Sequence, residues 1–229
     1  MSGAQGPAEV KSAVNWVLLV TVLSVAPAVL VMVTCFTRII VVLGLLRAAL
    51  ATQQLPPNQV LFGLALLMTV VVMAPTATQV HQDAIAPYMA GEKSSADAVK
   101  AGETHIRDFM IRQIDNADNG EDVYVFLSED LKKKDGELRA QGRSLSFKEV
   151  PTWSLVPGFV LSELKVAFAM GFKIFLPFLV IEMLVASVLV SMGMLMVPPS
   201  LISLPFKLLL FVLADGWHLV VGTLMNSFR

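Results

Sequence analysis

PGFVLSELKVAFAMGFKIFLPFLVIEMLVASVLVSMGMLMVPP, residues 157–199, is apolar enough for a membrane span yet carries Glu163, Lys165, Lys173 and Glu182. Lys207 and Asp215 follow in the next apolar run. At the centre of a spanning helix each such charge costs roughly 2.5–3.5 kcal/mol, while each Leu, Ile, Phe or Val returns about 0.3–0.6. A helix over Leu161–Glu182 with all its charges deep loses on the order of 10 kcal/mol, and its apolar residues recover about half. The block therefore predicts helices sheltered by protein rather than a lone hairpin in lipid.

The rest of the chain agrees with that class. The 229 residues are 55% hydrophobic and 15% charged, against about 25% charged in soluble domains. Such a composition excludes disorder, and a net charge of −1 offers no electrostatic case for nucleic acid. The single cysteine, Cys35, excludes a disulfide framework. Of the charged side chains, 24 lie between His81 and Val150, so two apolar blocks flank a polar insert.

Uncharged runs over Ser12–Thr37 and Ala48–Val80 are each long enough for a span of about 20 residues. Arg38 and Arg47 lie between them without an acid, which predicts a cytoplasmic connection and an insert outside. The first residues, MSGAQGPAEVK, lack the basic start of a signal peptide.

Within the insert, Val99, Ile106, Phe109, Met110 and Ile114 recur at helical steps between charged residues. A second helix is expected over Val123–Leu131, with Lys132–Lys134 at its C-terminal end, where cations favour the dipole. The insert reads as a small helical extramembrane domain.

A turn at Pro198-Pro199 puts Glu182 and Asp215 at similar height in an antiparallel hairpin, roughly 24 Å from the bend. Two acids at one level need cations, and Lys165, Lys173 or Lys207 of a neighbouring chain is the expected source. Phe168, Phe172, Phe175 and Leu179 form a stripe read as packing surface, and Gly171 and Pro177 are expected to bend or loosen their helix. Before the prolines, Met192, Met194 and Met196 alternate, which no single helical face can hold. In a looping segment they form an apolar brush able to seal around an irregular chain.

No catalytic constellation accompanies these features. His81, His105 and His218 are scattered, and no nucleophile-elbow, Walker or dinucleotide pattern occurs. An enzyme is not expected, nor a cofactor or metal. A proton-coupled transporter using Glu182 and Asp215 is the alternative from another class.

Three stretches carry a family resemblance: FTRIIVVLGLLRAALATQQLPPNQVLFGLALLMTVVVMA at 36–74, PGFVLSELKVAFAMGFKIFLPFLVIEM at 157–183 and VPPSLISLPFKLLLFVLADGW at 197–217. They resemble the FliP family of flagellar type III export-gate subunits, with the injectisome subunits of virulence secretion as close relatives. The resemblance implies about five copies in a closed cone with FliQ and FliR. It further implies FlhB and FlhA below, the rod above and FliO as assembly factor, with unfolded rod, hook and filament proteins crossing the bacterial inner membrane through the pore, in the flagellar basal body, and much of the chain on the periplasmic side.

The family's methionine loop falls on Met192, Met194 and Met196, with Leu195 where another Met is typical. Its S-E-L-K motif falls on Ser162, Glu163, Leu164 and Lys165, implying polar contacts between subunits, and Glu182 stands where Asp is usual. Glu163, Lys165, Glu182, Lys207 and Asp215 are thus the expected inter-subunit polar residues. Pro56, Pro57, Pro198 and Pro199 are the expected hairpin bends. The expected architecture is all-α: a polar tail (1–11), a first apolar hairpin (12–80), a helical periplasmic insert (81–156) and a second apolar hairpin with the methionine loop (157–229). Copies assemble into a helical or ring-like pore among membrane lipids.

Overall fold

A computed structural model describes residues 7–52, 55–140 and 145–228. Residues 1–6 of the expected polar tail lie outside the described residues. Among those described the chain is helical and contains no strand.

The first apolar block is broken earlier than its hydropathy predicts. Leu23–Val33, the C-terminal part of helix α1 (Pro7–Val33), meets α2 (Phe36–Ala49) at 71°. Thr34 Oγ1 accepts the Phe36 N–H at 3.4 Å, and this local bond competes with continuation of the helix. Beyond the break, Phe36, Ile39, Val42, Leu43 and Leu46 are all buried. Their three- and four-residue steps turn one face of α2 into the centre of the core. Arg38 lies in that core and is 2% exposed, so it is not a charge of the cytoplasmic connection. The orientation predicted from two loop arginines therefore retains only Arg47.

Pro57 precedes α3 (Asn58–Val80). Arg47 Nη1 donates to Asn58 Oδ1 at 2.5 Å and to Pro56 O at 3.4 Å, clamping the bend between α2 and α3. α3 runs on through a π-helical turn, His81–Ile85, into the short α4 (Ala86–Met89).

In the insert, Ser94 caps α5 (Ser95–Asn116) by accepting from Asp97 N at 3.2 Å. Phe109, Met110 and Ile114 are buried as expected, whereas Val99 is exposed. After α6 (Gly120–Tyr124) the chain turns, and α7 spans Glu129–Ala140. Lys132–Lys134 thus lie inside α7 instead of ending a helix over Val123–Leu131. The reason is local: Glu129 and Asp130 occupy its first turn, where acids suit the dipole.

α8 (Thr152–Ser191) is one unbroken helix of 40 residues, roughly 60 Å long. Gly171 does not loosen it; a Cβ there would lie 2.1 Å from Leu45 Cδ1, so glycine lets α2 approach. Gly158 serves α6 similarly, with Val123 Cα 2.8 Å from the missing Cβ. α9 (Pro199–Leu213) returns antiparallel and meets α10 (Gly216–Asn226) at 64°, hinged on Asp215. Asn58–Met89 and Thr152–Ser191 are long and apolar enough to cross a membrane, and each bent pair reaches that length only as a single span.

Candidate functional site

α2 and α8 pack together, with Leu45 against Gly171, and this contact carries Arg38 against Glu163. Arg38 Nε donates to Glu163 Oε2 at 2.9 Å, and Nη2 donates to Glu163 Oε1. Nη2 also reaches Gln113 Oε1 at 3.2 Å; Nη1 reaches Ser227 O at 2.9 Å and Ser227 Oγ at 3.1 Å. All five guanidinium donors are thereby used. The Phe228 ring stacks 4.2 Å from the guanidinium carbon. One side chain thus joins α2, α5, α8 and the end of α10. The fork of Arg suits a buried carboxylate, where a bare point charge would leave oxygens unmatched.

The rest of the S-E-L-K motif points to the insert. Ser162 Oγ accepts from Asn119 Nδ2 at 3.0 Å, and Lys165 pairs with Asp122, which is 5% exposed. The sequence expected these polar residues to await a neighbouring subunit. Within this chain they already dock α5 and α6 onto α8.

Lower on the second hairpin, Lys207 Nζ donates to Glu182 Oε2 at 2.6 Å, with Lys207 1% exposed. This rung sets the register of the two arms. Equal counting from it places Asp215 level with about Ile174, roughly 12 Å from Glu182. One apolar cavity lined by Ile174, Pro177, Ala214 and Gly216 records the same pairing of levels. The expected level match of Glu182 and Asp215 is therefore corrected. The chain reverses across Met192–Val197, whereas Pro198 caps α9 and Pro199 begins it.

Asp215 adopts φ 48°, and its side chain makes no cap hydrogen bond. Neither Asp215 nor Lys173 has an ion-pair partner among the described residues.

At the tip, Gly193 takes φ 74°. Met194 N donates to Leu189 O at 2.9 Å and Gly193 N to Val190 O at 3.0 Å, ending α8 in a left-handed glycine cap. Met192, Met194, Leu195 and Met196 then stand out at 68%, 41%, 76% and 95% exposure. The methionines are outside any helix, as their spacing predicts.

His105 Nε2 lies 2.8 Å from Asp83 Oδ2, and no group of three possible metal ligands forms among the described residues. Sequence reasoning missed the hub on Arg38. Its signal was available in Phe36, Ile39 and Val42, whose spacing encloses Arg38 in a helix rather than a loop.

Comparison with known proteins places these features in a family. The FliP family model matches residues 19–224. The flagellar biosynthetic protein FliP of Bacillus subtilis is 48% identical over 222 residues, covering 97% of this chain and 95% of the relative. That of Caulobacter vibrioides is 47% identical over 94% of this chain and 76% of its own. That of Aquifex aeolicus is 40% identical over 98% and 89%.

Proposed function

This chain belongs to the FliP family, and on that footing we propose that it is a pore-forming subunit of the flagellar type III export gate in the bacterial inner membrane. It passes unfolded rod, hook and filament proteins, and its Met192–Met196 turn seals the channel between passages. About five copies surround one axis with FliQ and FliR, contacting FlhB and FlhA below and the rod above, with FliO as assembly factor. The insert faces the periplasm. The flagellar names of the relatives favour this reading over an injectisome subunit.

The observation that carries it is the exposed methionine tip at the end of a long hairpin whose arms are joined by the Lys207–Glu182 pair. Unbranched, polarizable side chains on a ring of tips repack around a passing polypeptide and close an apolar collar against ions. The mechanism is gating without bond chemistry. A transporter built on Glu182 and Asp215 loses support, because Glu182 is neutralised by Lys207 and Asp215 sits at another level.

Replacing Met192, Met194 and Met196 together with Ala is expected to raise ion leak or impair export. Unchanged conductance and motility in that variant would remove the gasket assignment.

A further inference from the structure

α10 is fixed at its two ends and little supported between them. At the near end Asp215 takes φ 48°, and Gly216 sits against Phe211, where a Cβ would lie 2.2 Å from Cδ2 of the ring. Phe211 is itself held between Phe178 and Trp217, with ring centroids 6.3 and 5.5 Å away. These contacts make the Asp215-Gly216 step a pivot.

At the far end, Ser227 accepts from Arg38 Nη1 with its main-chain oxygen at 2.9 Å and its hydroxyl oxygen at 3.1 Å. Gln113 Nε2 donates to Phe228 O at 3.4 Å, and the Phe228 ring covers the Arg38 guanidinium. The same ring lines a recess with Val72, Pro75 and Phe109. Ser227 and Phe228 thus clip the end of α10 onto α2, α3 and α5.

Between these ends α10 buries only Gly216, Val220 and Leu224, a single stripe at four-residue steps. Two cavities of about 260 Å³ each adjoin that stripe, and Ile174, Leu219 and Val220 line both. Side chains that border a cavity lack neighbours on that side, so little dispersion energy holds the middle of the helix down.

We infer that α10 is a hinged strap, which pivots at Asp215-Gly216 and stays closed because Ser227 and Phe228 latch its end at Arg38. A core helix held along its length buries a wider face than one stripe. Opening uncovers Met170 and Ile174 of α8, both half-buried when the strap is closed. The latch therefore decides whether this strip of α8 is covered by its own chain or presented to another surface. Because α9 joins the methionine tip to the pivot, the closed latch also ties that arm to the Arg38 hub.

Val220→Cys puts a thiol of similar size at a buried position of the strap, and native Cys35, buried at the α1–α2 break, reports on the core. The full-length chain in its purified complex is treated with a maleimide, once with the latch intact and once with Ser227→Ala and Phe228→Ala together. The expected result is roughly tenfold faster alkylation at position 220 in the unlatched chain, with Cys35 unreacted in both. Equal rates at position 220 with and without the latch overturn the proposal. Parallel reaction of Cys35 overturns it as well, since the core has then loosened as a whole. Native-state hydrogen exchange of the unaltered chain is the second measurement. Amides over residues 220–226 are expected to exchange through an opening that α8 around Ala167 does not share. Exchange of both in one step overturns the strap.

Discussion

Arg38 and Glu163 are separated by 125 residues and meet through a two-point hydrogen bond in the core, with Nε and Oε2 2.9 Å apart. Their side chains are 2% and 0% exposed. The pair is the centre of a network rather than an isolated bridge. Gln113 from the insert and Ser227 from the C-terminal end accept the remaining donors of the same guanidinium. The long helix, the bent first block, the insert and the end of α10 are consequently positioned against one charged group.

Removing one member of this pair leaves a buried, uncompensated charge. Glu163→Ala is expected to destabilise the fold by about 3–5 kcal/mol, and Arg38→Ala by a similar amount. Thermal unfolding of the purified complex measures this. An unchanged midpoint in Glu163→Ala would show that water reaches Arg38 freely.

The two close glycines should respond differently to repair. Gly158→Ala meets the Val123 main chain, so the expected loss of about 1–3 kcal/mol persists when Val123 is trimmed to Ala. Gly171→Ala meets mainly the outer atoms of Leu45, so Leu45→Ala should recover much of its loss. Limited proteolysis of the insert in both double variants reads the contrast. Equal rescue at both sites would contradict it.

Gly193 ends α8 with a positive φ that a side chain resists. Gly193→Ala should cost about 1 kcal/mol, and Gly193→Asn less, because Asn tolerates the left-handed region. On the proposed sealing role, the matching functional readout is ion leak through the export gate, with Ala the leakier of the two. Identical leak in Ala, Asn and the wild type would separate the turn geometry from sealing.

Much of the fold is legible along the chain because its signals are local. The apolar runs, the buried Phe109, Met110 and Ile114 face of the insert and the non-helical methionine turn each follow from spacing of a few residues. The break at Thr34-Cys35 is less legible, since hydropathy continues across it and only a side-chain bond marks it. Arg38 illustrates the limit best. Counted as a loop charge it predicts orientation; seated in α2 it stabilises the core instead.

The amino-acid order by itself determined that the protein is helical, that its oily blocks flank a polar insert, and that charges in the second block need company. The three-dimensional structure alone decided which partners they take. Arg38 reaches Glu163, Lys165 reaches Asp122 and Lys207 reaches Glu182 because helix packing brings distant turns to one level. Periodicity reports which way a side chain faces on its own helix, but it holds no record of what stands opposite.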